Sequence, residues 1–215
     1  MKPLLIIGCG ALAAEMTALK QANGWAGVRV QCLPADLHNR PERIPEAVRA
    51  AIRQARGHYS GIFVAYGDCG TGGALDRVLA EEQVERLPGA HCYAFYAGPE
   101  QFEALAHEEP GTFYLTDFLA RHFERLVMRE LGLRQHPELR DLYFGHYRRL
   151  LWLSQSGDSS LEAPARAAAS ELGLTFAQRY TGLGALGTEL LRFVDASTFQ
   201  STSNRTTAEA SAWHT

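Results

Sequence analysis

Residues 61–83 read GIFVAYGDCGTGGALDRVLAEEQ. The run GIFVAY is apolar and ends in a glycine-rich turn, and a continuous apolar run bounded by turn residues predicts a buried strand. GALDRVLAEEQ follows with helix formers. The stretch therefore reads as strand, turn and helix, with Cys69 set in the turn. The unit recurs on both sides. LLIIG is a short apolar strand followed by the helix ALAAEMTALKQA, which NG closes. VRVQCL is a second strand. After the loop LPADLHNRPER comes IPEAVRAAIRQA, where Ile44, Val48 and Ile52 recur every four residues as on an amphipathic helix.

Downstream, HCYAFYA reads as a fourth strand, and GPEQFEALAHE as a helix with proline near its start. TDFLARHFERLVMRELGL predicts one long helix with Thr116 or Asp117 as its N-cap. HPELRDLYFGHYRR predicts a further helix, and LLWLSQ a strand. LEAPARAAASELGL follows SGDSS, and TFAQRYT and ELLRFV read as late strands. Strands alternating with helices imply right-handed crossovers. The expected fold is α/β, a three-layer αβα sandwich with a mainly parallel, Rossmann-like doubly wound sheet. Residues 1–197 are expected as a single domain. The Ser/Thr-rich stretch 198–215 is expected to be a disordered polar tail.

Composition narrows the partners. The chain has 215 residues and a net charge of −3, with no basic stripe that would suit nucleic acid. No apolar run approaches the roughly 18 residues of a membrane span. The opening MKPLLIIGCGALAAE is short and glycine-broken, so it reads as strand and turn rather than a signal peptide. A cytoplasmic location is expected. There the four cysteines would be reduced, which favours metal binding or chemistry over disulfides.

In a doubly wound sheet, ligands bind beyond the carboxyl ends of the strands. Cys9, Cys32 and Cys69 fall at or just after the ends of the first three strands. Cys92 reaches that edge only if HCYAFYA begins in a loop that bends back. One cysteine alone is readily core filling. Cys9 and Cys69, however, sit in GCG and GDCG turns, where packing does not ask for sulfur and where Gly10 and Gly70 allow close backbone approach. Thiolates beside helix N-termini would have lowered pKa values. His38, in the loop after strand two, reaches the same edge. Two or three thiolates with an imidazole suit zinc or another soft metal.

Rival readings use the same turns. GCGALA matches G-x-G-x-x-A, but Cys32, Leu33 and Pro34 stand where a dinucleotide site wants an acid, and Asp36 comes late. GDCGTGG lacks the Lys-Ser/Thr of a Walker motif, yet its amides could hold a phosphate. A nucleophilic Cys69 would need His38 or His91 as base. Tyr114, Thr116, His146 and Tyr147 are pocket candidates, although such aromatic sets more often serve packing.

Taken in order, Cys9 with its helix, LPADLHNRP, YGDCG, HCYAFYAG and GTFYLTD resemble the bacterial and archaeal family called domain of unknown function 1638, from about Leu4 to Phe193. By that resemblance Cys9, His38, Cys69 and Cys92 match motif positions, and Tyr66, Gly67 and Gly70 match its turn. Cys32 has no clear counterpart. Where the family motif has His-Asp before its last cysteine, this chain has Ala90 and His91. The resemblance also implies a link to corrinoid-dependent methyl transfer, through genes that often neighbour the family's.

The sequence thus leads to a metal-binding protein with Cys9, Cys69, Cys92 and His38 as ligands, expected, by the resemblance, as a metal-dependent transferase in one-carbon or corrinoid-linked methyl transfer. Tyr66, Gly67, Gly70 and Gly10 would shape the cofactor turn. Zinc is the favoured metal and an iron–sulfur cluster the alternative. A small-molecule substrate or a corrinoid protein is the expected partner. The rival functions are a non-catalytic carrier or accessory protein and a metal-free phosphate or nucleotide binder.

Overall fold

The computed structural model describes residues 2–197, so the expected tail at 198–215 lies outside the described residues. Strands β1 (Leu4–Cys9), β2 (Val28–Leu33), β3 (Gly61–Ala65) and β4 (Glu85–Arg86) form one parallel sheet in the order β2-β1-β3-β4. Strands β5 (Thr112–Thr116), β6 (Arg149–Ser154) and β7 (Thr175–Tyr180) form a second parallel sheet in the order β5-β6-β7. The helices are α1 (Ala13–Ala22), α2 (Ile44–Ala55), α3 (Ala74–Glu82), α4 (Cys92–Ala97), α5 (Pro99–Glu108), α6 (Asp117–Phe123), α7 (Leu139–Phe144) and α8 (Glu162–Leu172), with α9 over residues 184–197.

The apolar strands are covered on both faces, which is why they read as continuous runs. Leu5, Ile7 and Val64 pack with Val48 and Ile52 of α2 and Leu75 and Leu79 of α3. Ile6, Phe63 and Ala65 pack on the other face with Met16 of α1 and Leu186 and Leu190 of α9. In the second sheet, Leu150 and Trp152 face Leu119 of α6 and Ala165 and Ala169 of α8. Leu151 and Leu153 face Leu105 of α5 and Tyr93 and Ala97 of α4. Each fully buried large side chain contributes about 1.5–3 kcal/mol. The architecture is α/β, layered and Rossmann-like, with its strands divided between two sheets.

HCYAFYA is a helix, not the expected fourth strand. A six-residue run that is apolar all round carries no period to tell the two apart. As a helix it gives Cys92, Phe95 and Tyr96 to the first sheet's core, and Tyr93 and Ala97 to the second's. The two-residue β4 takes the place beside β3 instead. ELLRFV is also helical, within α9: Leu186, Leu190 and Val194 are buried at fourfold spacing, and Phe193 stacks on Phe63 at 5.0 Å. Gly184 lets α9 begin against α4, since a Cβ there would meet the Phe95 and Tyr96 carbonyl oxygens. GTFYLT supplies β5, a strand the sequence reading lacked. The predicted long helix stops at Phe123, with Thr116 as N-cap, and continues as a π-helical turn over Glu124–Arg129. The predicted helix that follows it shortens to α7.

Candidate functional site

Strand β1 ends at Cys9, whose Sγ accepts the Ala11 amide at 3.4 Å. Gly10 lets this turn lie against the turn that leads to His38, because a Cβ would meet Leu33 O at 3.0 Å and Ala35 N at 3.3 Å. Strand β3 ends at Ala65, and the chain then turns through Tyr66, Gly67, Asp68 and Cys69. The Asp68 amide donates to Gly89 O and the Cys69 amide to Ala90 O, at 3.1 and 2.7 Å. A Cβ on Gly67 would stand 3.2 Å from both Gly89 O and His91 N, so glycine permits this contact. The two bonds bring His91 and Cys92, the start of α4, beside Cys69. The expected condition for Cys92 to reach the edge is met by a loop and a helix start.

Cys69 has φ +51° and Gly70 φ +85°. A left-handed conformation costs a non-glycine residue about 1–2 kcal/mol. Glycine would avoid that cost at position 69, where the chain carries sulfur. The turn is braced by Asp68, which accepts from the Thr71 hydroxyl (2.6 Å) and from the Gly73 and Gly72 amides (2.8 and 3.1 Å). Burial opposes ionisation of Asp68, but these donors and nearby Arg86 outweigh it and hold its pKa below the ordinary value.

The thiols behave otherwise. Burial, and then the charge of Cys9, push Cys69 up to about 11, against the Gly67 and Cys92 amides. Burial raises Cys92 well above the usual thiol range, followed by the influence of Cys69 and Cys9. Burial also raises Cys9, while the Ala11 amide and the Tyr66 hydroxyl pull it down. The expected lowering by helix N-termini is thus outweighed by desolvation. Tyr66 is buried among these sulfurs and its own pKa is raised, first by burial and then by Cys9. Its hydroxyl lies beside Cys9 without a hydrogen bond of full geometry.

A cleft of about 430 Å³ opens beside this rim, lined by His38, Cys69, Gly70, His91 and Cys92 on one side. Its other side carries Tyr93, Phe102, Thr112, Phe113, Tyr114 and Tyr147. His38 is exposed at the mouth; protein packed behind it, and next the His91 ring, lower its pKa. A smaller cavity of about 30 Å³ also touches His38 and Cys92 and reaches Thr116. The structure therefore gathers Cys69, Cys92 and His38 on one cleft, with Cys9 behind them. Among the described residues, no group of three or more His, Cys, Asp and Glu side chains is disposed to hold a metal ion. Cys32 pairs with Gly8 across the strands and is exposed. The His146 ring lies tilted against Tyr147 at 4.1 Å between centroids but does not line the cleft. Tyr93, Phe102, Thr112 and Phe113, which also line the cleft, were not singled out in the sequence. The alternation in GTFYLT was the available signal for Phe113, whereas Phe102 gave none.

The fold and this rim define a Rossmann-like α/β protein with a cysteine- and histidine-lined cleft between two parallel sheets. A family model described as protein of unknown function (DUF1638) matches residues 32–190, and the chain belongs to that family. Cys32, His38, Cys69 and Cys92 fall within the matched residues, and Cys9 precedes them. Comparison with curated proteins gives no match. No described helix is long and apolar enough to cross a membrane.

Proposed function

We propose that the rim is a soft-metal site, with zinc favoured over an iron–sulfur cluster, in a transferase of corrinoid-linked one-carbon chemistry. The observation that supports it is sulfur at Cys69 in a left-handed turn where glycine would be cheaper, beside Cys92 and in electrostatic reach of Cys9. Cys9, Cys69 and Cys92 would be the ligands and His38 the fourth. The donor set fits a soft metal in kind. Ligation would require the side chains to turn inward and the raised thiols to lose their protons. A bound metal would supply Lewis acidity or a metal-held thiolate. The chain's own part is to keep those thiols protonated and screened until an ion arrives, and to present the cleft to a small molecule.

The second reading, a carrier or accessory protein, draws on the cleft wall, where no carboxylate stands to pair with an imidazole as acid and base. The phosphate-binder reading loses ground, because Asp68 already occupies the Gly72 and Gly73 amides. The test is elemental analysis with an absorption spectrum on protein purified without oxygen. One equivalent of colourless zinc is expected, lost in Cys69→Ala. Full retention of metal by that variant refutes the ligand assignment. Methyl transfer with a corrinoid protein then separates enzyme from carrier.

A further inference from the structure

Strand β5 is an edge strand. It pairs with β6 alone among the described strands. Arg149 donates its amide to Gly111 O and is the register partner of Thr112, so the backbone groups of Gly111 and Phe113 point toward β6. Those of Thr112 and Tyr114 therefore point to the open side, since N–H and C=O alternate sides along a strand. Thr112, Phe113 and Tyr114 all line the cleft, so this edge lies beside it.

Aromatic rings flank the edge on both faces of the sheet. On one face Tyr114 stacks on Tyr93 at 5.4 Å and meets Phe102 at 5.0 Å. On the other, Phe113 meets Tyr147 edge-on at 5.7 Å. A flat molecule lying in the plane of the sheet would set its edge on the β5 backbone and its faces toward these rings. The Tyr114 hydroxyl is buried without a hydrogen-bond partner.

The size and polarity of the cleft narrow the ligand. Three residues of β5 line it, roughly 10 Å of strand at about 3.3 Å per residue. That suits a fused two-ring system and is short for an added peptide strand. The wall carries no Asp, Glu, Lys or Arg among its lining residues. A carboxylate or phosphate would find no Lys or Arg there, only the imidazoles of His38 and His91 and neutral hydroxyls, so an uncharged ligand fits the wall better.

We propose that this groove binds a flat, uncharged two-ring heterocycle of the purine or pterin type. Its amide-like edge bonds to the open backbone of Thr112 and Tyr114, and its faces lie between the Phe102–Tyr93 and Tyr147 sides. The proposal adds a ligand beside the metal site and does not depend on the metal.

Saturation-transfer NMR and calorimetry on the full chain, both chelator-treated and zinc-loaded, test it. The probes are hypoxanthine and 6-methylpterin. Quinoline, tetramethylammonium, inorganic phosphate and an acetylated tripeptide amide serve as comparisons. Saturable binding of hypoxanthine or 6-methylpterin is expected in the chelated protein, with quinoline at least about ten-fold weaker because it lacks the amide edge. Phe102→Ala is expected to weaken it about ten-fold, the scale of one ring stack. Tyr147→Ala serves in its place should circular dichroism show Phe102→Ala unfolded. The proposal is overturned by no saturable binding of either heterocycle, or by affinity unchanged in the folded variant. Equal or tighter binding of any comparison compound overturns it too. Failure of zinc binding alone leaves the heterocycle result standing, so the two ideas are judged separately.

Discussion

The ends of β1, β2 and β5 meet around one small cavity, and the end of β5 is finished differently from those of β1 and β3. At the end of β5, Asp117 is 1% exposed and its carboxylate is saturated. It accepts from Trp152 Nε1 at 2.9 Å, the Ser156 amide at 2.8 Å and the Ser156 hydroxyl at 2.6 Å. Its own amide donates to Gln155 Oε1 at 2.8 Å, and Thr116 caps the following helix. At the ends of β1 and β3 the groups are left unspent: raised thiols, an unbonded Tyr66 hydroxyl and a left-handed cysteine. The same topological position holds a fully bonded carboxylate after β5 and burial-raised groups, one of them unpaired, after β1 and β3. Saturated polar groups hold a fold together, whereas each unsatisfied buried one calls for an explanation of its own.

The contrast can be broken most forcibly at Asp117. Asp117→Ala strands the Trp152 and Ser156 donors in a buried setting and is expected to cost about 3 kcal/mol. Urea unfolding measures this, and metal content per folded molecule should not change. At the rim the effects are smaller on stability and larger on metal. Cys69→Gly should be about 1 kcal/mol more stable than Cys69→Ala, since glycine accepts φ +51° freely, and both variants should lack metal.

The brace below Cys69 gives a pH signature. Because the folded pKa of Asp68 is depressed, its stabilisation is present above the ordinary value of 3.8 and is lost as pH falls through the lower folded value. Asp68→Asn should lack that acid-side step in denaturation curves taken across pH. Cys32→Ser should do least. It is exposed, so stability should stay within about 0.5 kcal/mol and metal content should be unchanged.

Legibility followed the same division. The rim was readable because glycines and cysteines announce themselves locally: GCG and GDCG marked both turns, and a break in HCYAFYA was the stated condition for Cys92. The helix α4 was not readable, since Cys92, Phe95 and Tyr96 bury toward one sheet and Tyr93 and Ala97 toward the other. A helix apolar on both sides has no stripe. The division into two sheets was hidden for the same reason, because nothing local tells β5 to pair with β6 rather than extend the first sheet. The bonding of Asp117 depends on Trp152 and Ser156, more than thirty residues away, and sequence spacing carries no trace of it.

The shared helix has a thermal consequence. Since α4 lends one side to each apolar core, neither half can melt and leave the other intact. Heat should therefore dismantle the protein in a single cooperative step, with calorimetric and van't Hoff enthalpies in agreement. Any rocking of one half against the other would carry Cys92 and Tyr93 together, tying sulfur and ring to the same lever.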